Sequence, residues 1–203
     1  HAAHRNRKIK ENPCPYLERV KTIPTDRVGL SAEELIQLAE TPCDVPILRT
    51  AFLFSCLTGL RKSDVKPFSW ELIQPEADGT LYITDRMQKT DQIVHNPIGE
   101  EALALIDDGI REGIVFRGFK DSMTQAPRKR WVKAAGITKH ITYHSSRHTF
   151  CSLQLHAGTD VNTVKELVGH KNISTTQQYL DSVDSRKKDA ANRITIKRKE
   201  EHP

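Results

Sequence analysis

Two rhythms of apolar and polar residues run along the chain, separated by segments that follow neither. Residues 1–28 are polar, hold three prolines and show no apolar period, so they read as an interdomain linker or basic arm. Order begins near Leu30. The run Ser31-Ala-Glu-Glu34 has the spacing of a capping box, with Leu30 and Leu35 placed as a staple, which predicts a helix to about Glu40. Pro46 opens a second helix, apolar enough to lie centrally, and Gly59 closes it. Strand-like stretches follow at 80–84 (TLYIT) and 93–97, joined by the polar run DRMQKTDQ as a hairpin with a charged tip. Helical spacing resumes at 100–108, 122–135, 144–156, 160–167 and 174–180, broken by Gly109, Gly136, Gly158 and Gly169. The pattern predicts a mainly α fold with a small antiparallel β-hairpin or sheet, its ordered domain at 29–184 and a polar tail at 185–203.

Composition narrows the class. The 203 residues are 37% hydrophobic and 28% charged with both signs abundant, which suits one globular domain with small appendages and argues against global disorder. The longest apolar stretch, 51–57 (AFLFSCL), is too short for a membrane-spanning helix. Cys14, Cys43, Cys56 and Cys151 show no C-x-x-C spacing, and Cys56 and Cys151 lie in apolar helical patterns as small hydrophobes, which points to a reducing cytoplasm. The chain opens on His with no apolar leader, and it reads as a piece of a longer protein.

The net charge of +5 hides a segregation. Residues 117–149 carry eight Lys/Arg against one acid, while residues 1–12 and 185–203 carry four against one and seven against three. The remainder of the chain is acidic. Basic segments on an acidic body suit a surface that meets a polyanion, since Lys and Arg contacts to phosphate supply most sequence-independent nucleic-acid affinity. A solvated basic face accounts for the charge equally well.

Several polar residues stand where stability alone would not put them. Arg61 follows Gly59 at the end of the most apolar helix, and a short helix near Ser63 would hold Asp64 beside it, as an internal ion pair or as support for an arginine that binds an anion. In His144-Ser-Ser-Arg147-His148-Thr-Phe150, positions 144, 147 and 148 share one face near a helix N-terminus, an arrangement suited to phosphate. His144 and His148 have the spacing of a zinc pair, but position 145 is Ser and no third ligand is evident; His148 also fits a core histidine. Gly169 then permits a tight helix exit that exposes His170, and Ser174 or Thr175 can cap a short helix bearing Tyr179.

These runs resemble the tyrosine recombinases, or phage integrases, especially those of bacterial conjugative transposons and related mobile elements. The resemblance rests on TGLRKSD (58–64), QKT (88–90), HSSRHTF (144–150), LVGH (167–170) and STTQQY (174–179), in the family's order. It implies that Arg61, Lys89, His144, Arg147 and His170 occupy the family's catalytic positions, Tyr179 the nucleophile's and Asp64 that of the acid supporting the first arginine. Position 146 is Ser where many members have Leu, and Asp64 is shorter than the Glu often found there. Lys62, Arg128, Lys129, Arg130 and Lys133 are the further candidate contacts to DNA.

The implied reaction is cutting and rejoining of DNA strands through a 3′-phosphotyrosine, with no cofactor, metal or ATP. The implied partner is double-stranded DNA in a bacterial, nucleoid-associated cytoplasmic setting, with a homotetramer on paired sites and a monomer for the free fragment. Lys89 would protonate the leaving 5′ oxygen and His144 would assist proton removal from Tyr179, although Lys89 alone also reads as a solvated hairpin tip. Ile194 and Ile196 in the basic tail suit docking on a neighbouring protomer, against a tail folded on its own domain. Two other classes share parts of this pattern: a type IB topoisomerase-like enzyme, and a non-catalytic DNA-binding module that would have no use for Tyr179.

Overall fold

The computed structural model describes residues 5–7, 10, 28–87 and 93–179. Helix α1 (Ala32–Glu40) starts as its sequence predicts: Ser31 Oγ accepts from the Glu34 amide at 3.2 Å, and Glu34 Oε2 accepts from the Ser31 amide at 2.8 Å. Helix α2 (Pro46–Thr58) is the central element, with Leu48 and the whole run from Ala51 to Cys56 buried. Its end is fixed by Gly59 at φ +70°, a left-handed conformation, with the Gly59 amide donating to the Ser55 carbonyl. The short helix α3 (Lys62–Val65) follows at once, with Arg61 as its N-cap residue.

Three antiparallel strands come next in the order β1 (Ile73–Pro75), β2 (Leu81–Arg86) and β3 (Ile93–Pro97). The expected β2–β3 pairing is present, in the register Ile83 to Asn96 and Asp85 to Val94. The third strand, β1, was not foreseen: three residues are too few to show a period, and a proline suits an edge strand. Helix α4 (Glu100–Ile106) returns the chain to the flank of α2.

The predicted helix at 122–135 is divided. A 3-10 turn at Asp121–Thr124 and helix α5 (Ala126–Ala134) meet at Gln125, whose φ −104° and ψ −107° are not helical. Trp131 anchors α5 by packing edge-on against Phe52 and donating its indole N–H to the Thr41 carbonyl at 2.9 Å. Helix α6 (Ser145–His156) crosses α2, and the buried Tyr143 just before it donates to the Ala51 carbonyl at 2.9 Å. Burial pushes the Tyr143 phenol pKa up, which keeps that hydroxyl a donor.

Helices α7 (Val161–Leu167) and α8 (Ser174–Gln177) complete the described fold, with Asp160 capping α7 through the Asn162 and Thr163 amides. Helix α8 is shorter than the 174–180 segment predicted, and the chain reaches Tyr179 in a turn. Phe150, Cys151, Leu155, Val164, Val168 and Tyr179 form a small second core, apart from the main one around α2. The arm and the 185–203 tail fall outside the described residues, apart from four positions of the arm.

Gly59 is the tightest joint between the two cores. A Cβ there would lie 2.6 Å from Phe150 Cδ1 and 3.0 Å from Val168 Cγ1, in a backbone conformation that side chains disfavour. Gly59→Ala should therefore lose about 2–4 kcal/mol, combining the left-handed penalty with overpacking, as read from the urea midpoint. A loss under about 0.5 kcal/mol would show that the joint relaxes freely.

Candidate active site

Helix α6 brings the chemistry together. Its Arg147 is 1% exposed, and its guanidinium spans two turns: Nη1 donates to the Gly59 carbonyl at 2.7 Å and Nη2 to the Val168 carbonyl. Nε of Arg147 has no hydrogen-bond partner among the described residues. Burial, and then the nearby Arg61, push the Arg147 pKa down to about 10, against opposing pulls from Cys151, Tyr179 and Asp64. Arg61, half-buried at the start of α3, is also pushed down by burial, while the charge of buried Asp64 favours its cation. Asp64 accepts from the neighbouring Ser63 hydroxyl at 3.2 Å, and Arg61 Nη1 lies 3.5 Å from Met87 Sδ at the end of β2.

One residue beyond Arg147, His148 Nδ1 shares a hydrogen bond with the Tyr179 hydroxyl at 2.5 Å. Tyr179 is 5% exposed, and the His144 ring packs edge-on against His148 at 4.6 Å. His170 leaves α7 through Gly169 at φ +58°, and its Nδ1 shares a hydrogen bond with Thr176 Oγ1 at 2.9 Å. That bond ties the α7 exit to the helix that precedes Tyr179. Asn96 of β3 donates to the Leu167 carbonyl at 2.6 Å, fixing the hairpin to the same exit.

A cavity of about 510 Å³ opens beside this cluster, lined by Arg61, His144 and Arg147 but not by His148, His170 or Tyr179. Arg61, Lys62, Arg128, Lys129, His140, His144 and Arg147 contribute its basic lining, with no Asp or Glu among the lining residues. Such a lining attracts a polyanion, because low-dielectric walls focus the field of like charges.

The phage integrase family model matches residues 30–186. The chain belongs to this family. Among curated relatives, this phage integrase domain is similar to tyrosine recombinase XerC of Xylella fastidiosa (strain M23), 28% identical over 185 residues that cover 84% of this chain and 62% of that protein. An integrase/recombinase of Escherichia coli is 44% identical over 70 residues, covering 34% of this chain and 21% of that one. The chain thus spans less than two thirds of these relatives' length.

Solved structures share its fold. A lambda integrase(75-356) dimer bound to a COC′ core site matches with TM-score 0.69 at 20% identity, covering 98% of this chain and 71% of that one. The Tn1549 transposon integrase in complex with circular intermediate DNA matches with TM-score 0.59 at 19% identity, covering 92% and 73%. The fold is that of a tyrosine recombinase catalytic domain.

Against this integrase frame, the sequence-derived candidates separate. Arg61, His144, Arg147, His170 and Tyr179 stand on elements gathered around the Gly59 turn and the α7 exit, with Asp64 behind Arg61. Lys89 lies outside the described residues, between β2 and β3 in the sequence. Of the five DNA-contact candidates, Lys62, Arg128 and Lys129 line the cavity, whereas Arg130 reaches Asp44 at 3.5 Å and Lys133 is exposed elsewhere on α5. His148 is the residue that the sequence did not single out for the tyrosine. Its i,i+4 relation to His144 was the available signal, and metal or core packing explained that spacing as well.

The depressed Arg147 pKa carries a stability consequence. With the folded value below the unfolded one, the charge penalises folding at every pH below about 10, and stability returns only as pH rises from there toward the ordinary arginine range. A bound anion relieves the same penalty at neutral pH. Low-millimolar inorganic phosphate should thus raise the Tm of the wild type by a few degrees, and that of Arg147→Gln by less than half as much. An equal rise in both would place the anion elsewhere.

Proposed function

We propose that this domain cuts and rejoins strands of double-stranded DNA for site-specific recombination, with Tyr179 as nucleophile. The observation that carries the reading is the Tyr179 hydroxyl held by His148, one residue from a buried arginine with an unpartnered Nε. A DNA-binding module gains nothing from such a phenol.

In the proposed step the Tyr179 oxygen attacks phosphorus, a phosphorus–oxygen bond to tyrosine forms, and the bond to the 5′ oxygen breaks. The phenol proton passes to the paired histidines. His148, in the tautomer with its hydrogen on Nε2, accepts from the hydroxyl, and His144 assists from its edge-on position. Arg61 and Arg147 meet the charge that grows on the non-bridging oxygens, and His170 donates to the same group. The leaving 5′ oxygen takes a proton from Lys89. The products are a 3′-phosphotyrosine and a free 5′ hydroxyl, and attack by another strand's 5′ hydroxyl reverses the step without ATP. Exchange between two duplexes calls for a homotetramer on paired sites, with the 185–203 tail docking between protomers and the free fragment a monomer.

Tyr179→Phe should bind a nicked suicide duplex normally and form no denaturant-resistant adduct, whereas the wild type should form it in excess EDTA. A persisting adduct in the variant would falsify the assignment. Lys89→Ala should cleave a substrate with sulfur in place of the bridging 5′ oxygen at least tenfold better than native DNA, because a thiolate leaves unprotonated. Equal impairment on both substrates would remove the general-acid role.

A further inference from the structure

Arg128 is out of keeping with the rest of its helix. Residues 128, 131, 132 and 135 recur at the spacing of one helical face, and Trp131, Val132 and Ala135 are buried. Arg128 lies on that buried face, 5% exposed, with Nε donating to the Thr124 carbonyl at 2.9 Å. Among the described residues its two terminal nitrogens make no hydrogen bond or ion pair, and neither is sealed from solvent, so both open on the cavity that Arg128 lines. Burial pushes its pKa down, and no carboxylate offsets that. The acid closest in sequence, Asp121, is taken up by Lys62 at 3.0 Å and Lys66 at 3.3 Å. A guanidinium kept charged, buried and without a counter-ion normally costs more than an apolar residue of similar volume.

That side chain lines the cavity above Arg61 and Arg147, on the wall made by the Asp121–Thr124 turn and α5. Exposed His140 and half-buried Thr142, from the loop before α6, also line the cavity. At about 510 Å³ the cavity is of the size that takes a drug-sized ligand, far more than one phosphate group fills. Arg128, Lys129 and His140 supply donors to this cavity in addition to Arg61 and Arg147.

We propose that the cavity seats two phosphates of one DNA strand, the reacting one at Arg61 and Arg147 and a neighbouring backbone phosphate held in the fork of Arg128. The inference rests on the recombinase reading and adds a second anchoring point to it. A guanidinium fork matches two phosphate oxygens at once, and Thr124 fixes the Arg128 side chain before DNA arrives, so little freedom is lost on binding. Two anchors on one strand set both the position and the direction of the backbone, and the reacting phosphorus is thereby aligned with Tyr179.

The test pairs a chemical change in DNA with a change in Arg128. Single neutral methylphosphonates are placed at each phosphate flanking the cleavage position, and binding to the full chain is measured by anisotropy. The wild type should lose about tenfold at one flanking position. Arg128→Gln should lose about tenfold on native DNA and almost nothing further at that position, with other positions affected as in the wild type. Arg128→Lys, a point charge without the fork, should fall between them. A purely structural Arg128 would leave the position-specific loss intact in the variant, and that result overturns the proposal. Should Arg128→Gln fail to fold, a wild-type scan with no sensitive flanking phosphate overturns it equally. Because binding needs no covalent step, absence of an adduct on the nicked suicide duplex would count against Tyr179 as nucleophile and leave the phosphate contact separately measured.

Discussion

The guanidinium of Arg147 bridges two carbonyls that belong to different parts of the chain. Gly59 ends the central helix of the main core, and Val168 ends a helix of the smaller one. Backbone carbonyls buried without donors would each cost roughly 1–3 kcal/mol, so the arginine satisfies a structural demand as it places a charge. Gly59 makes the geometry possible, because only a residue without Cβ lets Phe150 and Val168 close over the turn. The site is thus built at the seam of two packed clusters, and its central cation is also the seam's hydrogen-bond donor.

Such a seam is electrostatically incomplete. Arg61, Arg128 and Arg147 are all pushed down by burial, and Arg61 and Arg147 oppose one another. Asp64 offsets part of this at Arg61 and Arg147, while Asp121 holds two lysines at the rim. An interior optimised for stability would pair these charges or replace them with apolar residues. What remains is a field fixed in advance for an anion that the protein does not supply, the arrangement that stabilises a charged transition state without reorganisation at the moment of reaction.

Local signals carried much of this in the sequence. The capping box at Ser31, the stop at Gly59 and the exits at Gly136, Gly158 and Gly169 each follow from one or two residues, and each stands in the structure with the expected cap or positive φ. The runs around Arg61, Arg147 and His170 were weak one by one and became legible through their ordered resemblance to the tyrosine recombinases. Features decided by distant packing were not. The β1 strand exists because β2 offers it an edge, and 122–135 divides at Gln125 because Trp131 must meet Phe52 while Thr124 meets Arg128. Arg128 was read as one of a basic run, although its place on the 128, 131, 132, 135 face already marked it as inward.

Tyr179 shows how the two cores divide the work. It packs with Phe150, Leu155, Val164 and Val168 in the smaller cluster, reached through a helix of only four residues. So short a helix contributes little stability of its own, since the first turn fixes several dihedrals for one hydrogen bond. Its hold on the domain comes from the His170–Thr176 bond, the His148–Tyr179 bond and the apolar contacts of the ring. Arg147, by contrast, is tied to both sides of the seam, through the Gly59 and Val168 carbonyls. On the proposed reading, a nucleophile held by a few replaceable contacts beside a buried, doubly bonded arginine can be repositioned without disturbing that charge, and the asymmetry follows from the packing itself.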